Sequence, residues 1–298
     1  MDAIVSEQLA RVVLPVDKLE HLWTFEPSTA SLLWKLRRSW RFARRLTTRP
    51  AHHVLKPVFQ APRWNVYFIF SLQGELSPSH HYSLKSLRSS GVPLLVIVAT
   101  RNLETIPPDL ALLSDALIWK NLSGYDFSAY RIGLEQIART VPHADILIMN
   151  DSVFGPFGDI EKLVAAAPWR VTGFTSSAVI ENHIQSYAYI LKSFDAVLLD
   201  NCSTVMLPNH AFDRAGDVIL CQECQFARIA AHHVSVGSFW HGAADRDLDP
   251  MLNLPLELID AGMPFMKKSL FGKMKSFQNS EIMQRKLIEL GHPPHSLI

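Results

Sequence analysis

Between Trp64 and Asn150 the chain alternates short, almost wholly apolar runs with amphipathic ones, and that alternation leaves few folds open. Residues 65–72 are rich in aromatic and β-branched side chains and read as a strand. Residues 79–90 read as a helix closed by Gly91, the residue favoured just past a helix end. A buried strand at 93–99, a short one at 116–119, a helix at 127–140 and a strand at 144–149 that stops at Asn150 complete the pattern. Such spacing predicts an α/β fold, a doubly wound and mostly parallel sheet with helices on both faces. Ligands of such sheets bind beyond the carboxyl ends of the strands. Further on, the sequence predicts a strand at 171–175 and helices near 184–192, near 222–232 and from about 280 to 290, the last closed by Gly291 and Pro293.

The first 60 residues read differently, as a helical N-terminal extension (1–60) to an α/β domain (61–298). Leu32, Leu33, Leu36, Trp40 and Ala43 recur at spacings of three and four, among Lys35, Arg37, Arg38, Arg41, Arg44, Arg45 and Arg49. A basic amphipathic helix of this kind has two destinations: its apolar side packs on the domain, or it lies on an anionic membrane surface. Arg49–Pro50 is expected to end it, since the residue before proline disfavours helical dihedrals.

The bulk numbers narrow the function classes. With 298 residues, 48% of them hydrophobic and 19% charged, the chain buries a large core. The longest apolar runs fall far short of the roughly 20 residues a spanning helix needs. Asp2 and Glu7, with no basic stretch beside them, argue against a secretory leader, so a cytoplasmic location is expected. Three cysteines, Cys202, Cys221 and Cys224, form no disulfide framework. Cys221 and Cys224 have the spacing of half a zinc site with no second pair to complete it. A net charge of +1 gives no footprint for nucleic acid, which is not expected as a partner.

Four clusters carry candidate chemistry. Asn150-Asp151-Ser152-Val153-Phe154-Gly155-Pro156 follows a strand directly, which points Asp151 into the ligand crevice. There it can orient a diphosphate or hold Mg²⁺ or Mn²⁺, with Asn150 and Ser152 as neighbouring oxygens; the plain alternative is a strand-ending turn. Asn121, Gly124, Tyr125 and Asp126 lead into a helix, where a tight turn and first-turn amides suit a phosphate or nucleotide edge, or serve as a cap only. His183, Gln185, Ser186 and Tyr187 make a donor-rich run suited to sugar hydroxyls. Glu223 is a candidate general base, and Lys267 and Lys268 are candidate cations for a departing diphosphate or simply solvated charges. The adjacent histidine pairs, such as His80–His81, diverge on any regular element and predict no metal site.

Taken in order, these pieces resemble the rhamnan synthesis protein F family over about residues 64 to 272. The likeness is carried by Ser83, Leu84, Leu87 and Gly91, by Asn121 with Gly124-Tyr125-Asp126-Phe127 and Tyr130, by the Asn150–Pro156 run, by Thr172-Gly173-Phe174-Thr175, by His183–Tyr187, by Glu223 and by Gly262–Lys268. The resemblance implies a GT-A-like glycosyltransferase working on the cytoplasmic side, and the basic stripe adds an expected peripheral place at the inner face of the cell membrane. Its implied donor is the nucleotide sugar dTDP-L-rhamnose and its implied acceptor a lipid-linked glycan of a surface polysaccharide or O-antigen. Asp151 and Glu223 would be catalytic, and the other clusters would hold the donor. The sequence departs from the family at Cys221-Gln222-Glu223-Cys224, where a more aromatic lead-in is expected. Two other readings stay open: a non-catalytic subunit that binds glycan or nucleotide, and a transferase using another sugar donor.

Overall fold

The structure, a computed structural model, describes residues 19–242 and 248–295. Asp2 and Glu7 lie outside the described residues. The strands are β1 (Leu19–Thr24), β2 (Leu46–Thr48), β3 (His52–Lys56), β4 (Arg63–Phe70), β5 (Leu94–Ala99), β6 (Ala116–Lys120) and β7 (Ala144–Asn150). They continue as β8 (Val153–Phe154), β9 (Val171–Ser177), β10 (His183–Ile184), β11 (Ala188–Phe194), β12 (His210–Phe212), β13 (Val236–Gly242) and β14 (Met266–Lys267).

Nine strands form one sheet in the order β1-β13-β9-β11-β7-β4-β5-β6-β3, with β10 paired to β9. The block β7-β4-β5-β6 is parallel, as is the pair β13-β9, while β11 runs antiparallel between β7 and β9. Successive residues of a strand point to opposite faces, and both faces are covered. Val66, Phe68, Ile97 and Ile148 pack with Phe127, Tyr130 and Leu134 of the helix Asp126–Thr140 and with Phe226 of the helix Cys224–Ala231. Tyr67, Ile69, Val96 and Met149 pack on the other face with Leu84 and Leu87 of the helix Pro78–Ser89 and Val164 of the helix Ile160–Ala166. This two-sided burial explains why the strands read as continuous apolar runs.

Four expectations are corrected. The segment before residue 60 is not a helical extension: its described part holds one helix, Leu32–Arg45, and three strands. β1 pairs with β13 at one edge of the sheet and β3 with β6 at the other, so this segment is woven into the α/β body. The helix stops at Arg45, four residues before the expected Arg49–Pro50 break, because Leu46, Thr47 and Thr48 turn extended and pair with β12. The helix expected near 184–192 is instead β10, a turn and β11. A run such as Ala188-Tyr189-Ile190-Leu191, buried on both faces, carries no period that separates strand from helix, and pairing to β7 and β9 decides it. The helix expected near 222–232 starts earlier, with a π-helical turn at Ile219–Glu223 before Cys224–Ala231. Among the described residues no helix is long and apolar enough to cross a membrane.

Candidate active site

The chain leaves β4 for β5 on one side, and β7 lies on the other, so the carboxyl ends of β4 and β7 form the switch point at which such sheets leave a crevice. A cavity of about 1260 Å³ opens there. Asp151 bridges the switch point: its Oδ2 accepts a 2.8 Å hydrogen bond from the Phe70 N–H at the end of β4. The same oxygen lies 3.3 Å from His80 Nε2. His80 Nδ1 accepts from the Ser77 N–H at 3.2 Å, closing a cap on the helix Pro78–Ser89, which leaves Nε2 to carry the proton toward Asp151.

Asn150 is held from both ends. Its Oδ1 accepts from the Ser152 N–H at 3.0 Å and the Ser152 hydroxyl at 2.6 Å, and its Nδ2 donates to Asp126 Oδ2 at 3.0 Å. The other oxygen of Asp126 accepts from the Phe127 N–H at 3.0 Å. Asp126 therefore takes up one of the amides at the helix start with its own carboxyl group. Burial, and next the nearby Glu223 carboxylate, push Asp126 up to about 7.

Glu223 ends the π-helical turn, a feature found mostly at functional sites. Its Oε1 accepts from the Ser186 N–H at 2.7 Å and the Ser186 hydroxyl at 2.9 Å, and Tyr130 donates to the Ser186 carbonyl at 2.9 Å. Oε2 takes no hydrogen bond from the described residues, and Glu223 lines the cavity. Nearby, the Gln185 amide donates to Asp249 Oδ2 at 3.0 Å and accepts from the Thr175 hydroxyl at 2.6 Å, while Tyr187 shares that hydroxyl at 2.7 Å.

Opposite stand the lysines. β14 pairs with β8, and the Lys268 N–H donates to the Ser152 carbonyl at 3.0 Å, which docks Lys267 and Lys268 beside the Asp151 turn. Lys267 Nζ lies 3.4 Å from Asp249 Oδ2, and Lys268 Nζ sits 5.5 Å over the Phe154 ring. Burial pulls Lys268 below the usual lysine value, against the pull of Asp151.

Of the residues singled out in the sequence, Asp151, Glu223, Gly124, Tyr125, Asp126, Asn150, Ser152, His183, Gln185, Ser186, Tyr187, Lys267 and Lys268 all line this one cavity. Asn121 does not. Its Oδ1 accepts from the Ser123 N–H and hydroxyl, so it shapes the loop rather than meeting a ligand. Gly124 is required there by φ +64° and by the space: an added Cβ would lie 2.7 Å from Ala211 Cβ and 2.8 Å from Pro50 Cγ.

Four lining or supporting residues escaped the sequence reading: His80, Lys120, Asp213 and Asp249. Lys120 is fully buried at the end of β6, and its Nζ donates to the carbonyls of Asn121 (3.1 Å), Ser123 (2.7 Å) and Gly124 (2.7 Å). Burial pushes Lys120 down to about 7, against Asp126 and Asp213. A charge ending an apolar strand was the available signal, the same one that marked Asp151. Asp249 precedes Pro250 and caps the helix Pro250–Asn253, a readable capping position. Asp213, which accepts from the Gly124 N–H, gave no local signal.

Among the described residues no three His, Cys, Asp or Glu side chains gather to hold an ion. Asp151 keeps one carboxylate oxygen, Oδ1, outside these bonds and Asn150 Oδ1 is filled by Ser152, so the described residues build no cage of their own; a Mg²⁺ or Mn²⁺ would be held by Asp151 Oδ1 together with waters and the phosphates of a bound substrate. The three cysteines are buried, and burial raises their thiols, Cys202 to about 12 and Cys221 to about 11, so they are inert.

The fold is an α/β sheet with a charged crevice at its switch point, the place where such sheets bind ligands. The rhamnan synthesis protein F family matches residues 95–291, and the chain belongs to that family. Its role is accordingly glycosyltransferase-like, in polysaccharide biosynthesis. The Virulence protein VirA of Vibrio anguillarum is 24% identical in an alignment that covers 59% of this chain and 68% of VirA. The crystal structure of HddC from Yersinia pseudotuberculosis aligns over 60% of this chain and 91% of HddC, at 9% identity and a TM-score of 0.36, a likeness on which nothing further rests.

Proposed function

We propose that the chain is an inverting, GT-A-like glycosyltransferase that moves L-rhamnose from dTDP-L-rhamnose to a lipid-linked glycan on the cytoplasmic side, during assembly of a surface polysaccharide or O-antigen. The observation that carries the reading is the placement, in one cleft, of a carboxylate oxygen that no described residue engages, Glu223 Oε2, together with the Lys267 and Lys268 pair. Those are the two needs of a single displacement, a proton acceptor and a sink for diphosphate charge.

Glu223 Oε2 takes the proton of the acceptor hydroxyl as its oxygen bonds to the anomeric carbon. The bond from that carbon to the diphosphate oxygen breaks, and its electron pair leaves with the nucleoside diphosphate. Ser186, itself pinned by Tyr130, fixes the other Glu223 oxygen and so aims the free one. Lys267 and Lys268 face the developing negative charge. Asp151, locked across the ends of β4 and β7 by Phe70 and His80, orients the donor. Gln185, Tyr187 and His183 offer hydrogen bonds to sugar hydroxyls. No step runs through a metal ion.

The test follows dTDP release by purified full chain supplied with dTDP-rhamnose and a glycan-lipid mimic. Acceptor-dependent release, lost in Glu223→Gln, is expected; wild-type turnover by Asp151→Ala would remove Asp151 from the mechanism. Release from other nucleotide sugars but not from this one would replace the donor. Calorimetry showing glycan binding without affinity for any nucleotide sugar would favour a non-catalytic subunit instead.

A further inference from the structure

The helix Leu32–Arg45 sits on the body with the face opposite to the usual one. Trp34, Arg38, Arg41, Phe42 and Arg45, spaced as one helical face, are the half-buried positions; every other residue of the helix is exposed. Phe42 packs on Phe212 at 5.8 Å, Arg38 donates to the Leu220 carbonyl at 3.1 Å and pairs with buried Glu181, and Arg41 pairs with Asp217 at 3.2 Å. Leu32 (72%), Leu33 (56%), Leu36 (61%) and Trp40 (49%) are left facing outward. Exposed Lys35, Arg37 and Arg44 flank them, and the helix has no acidic residue. At 14 residues it is too short and too charged to span a bilayer.

We propose that this outward Leu and Trp stripe docks in the headgroup layer of an anionic lipid surface. The occupant is inferred from charge and shape together: a continuous apolar stripe flanked by cations and by no acidic residue of the helix matches an apolar boundary under negative headgroups, and Trp40, with Arg45 5.0 Å from its ring centroid, is amphipathic in the way that boundary favours. The docking has a consequence for the cleft. The helix is fastened through Arg38 and Arg41 to Leu220, Gly216 and Asp217, the stretch that carries exposed, cavity-lining Ile219 and leads to Glu223. A docked helix therefore sets that side of the cleft mouth next to the lipid, where a lipid-borne acceptor arrives; this last point rests on the function proposed above, whereas the docking does not.

Sedimentation of the full chain with phosphatidylglycerol-containing and with pure phosphatidylcholine vesicles tests it. The wild type is expected to bind the anionic vesicles selectively, to release with salt and to blue-shift its tryptophan emission. The double substitution Leu36→Ser with Trp40→Ser, at positions already exposed, should lower binding by roughly tenfold or more while leaving the melting temperature unchanged. It should also spare turnover on a water-soluble acceptor, so loss of vesicle binding and loss of the transferase reading are separable. Absence of wild-type binding, or equal binding by the double variant, overturns the proposal. So does a dimer in dilute solution that the double variant dissociates, or vesicle binding gained only after residues 1–18 are deleted.

Discussion

The two walls of the cleft are built on opposite plans. On the wall of Asp126 and Glu223, each carboxylate is held by neutral donors: Asn150 and a backbone N–H for Asp126, the Ser186 N–H and hydroxyl for Glu223. On the wall of Asp151, Lys267 and Lys268, charge faces charge, and the cations rest on Asp249 and on an aromatic ring. Burial raises Asp126 first, and neutral donors leave the repulsion from the neighbouring Glu223 carboxylate uncancelled, so Asp126 holds a proton near neutrality. The first wall is suited to moving a proton, and the second to binding a dianion.

Substitutions that break this contrast should do so unequally. The largest effect is expected from Glu223→Ala, a fall in kcat of roughly 10²–10⁴ with donor affinity little changed, measured by steady-state dTDP release and donor calorimetry. Lys268→Ala should instead weaken donor binding by about tenfold and lower kcat with it, the signature of lost diphosphate stabilisation. Next comes Gly124→Ala, which forces a Cβ onto Ala211 and Pro50 at positive φ; about 1–3 kcal/mol of stability should be lost in chemical denaturation.

A pH series sharpens the comparison further. With Asp126 raised from 3.8 to about 7, the folded chain binds more protons than the unfolded one between those values, so Asp126 makes stability fall as pH rises through that window and level off above it. Lys120, lowered to about 7, acts above it: the unfolded chain binds more protons from about 7 to 10.5, and its contribution rises with pH there. Asp126→Asn should flatten the lower slope and leave the upper one, as read by melting temperature across pH; an unchanged lower slope would remove Asp126 as its source. The smallest effect is expected from Tyr130→Phe, a loss of only about 0.5–1.5 kcal/mol in aiming Ser186 and hence Glu223, seen as a few-fold lower kcat at unchanged donor affinity.

Much of the site was legible because one rule made it so. Polar residues at the carboxyl ends of apolar strands face the crevice of a parallel sheet, and that rule found Asp151, Asn150, Ser152 and the Gly124–Asp126 loop. It would have found Lys120 had the same weight been given to a lysine. Gln185 and Tyr187 were found for composition while their backbone was misread, because a strand buried on both faces shows no period. Asp213 was out of reach: nothing local marks a carboxylate whose partner, the Gly124 N–H, is 89 residues away. The N-terminal helix kept two destinations open for a different reason. Its stripe was read correctly, but periodicity tells which residues share a face and never which face the body will claim.

The sequence by itself determined the strand and helix alternation, the covered sheet and most of the residues gathered at its carboxyl edge, since these follow from local burial patterns of period 2 and 3.6. Only the tertiary structure decided that β11 runs antiparallel in the middle of the sheet, that β1 and β3 close its two edges, and that the arginines of Leu32–Arg45 rather than its leucines meet the body. Those outcomes depend on pairings and ion pairs between residues far apart in the chain, whose energies no local window contains.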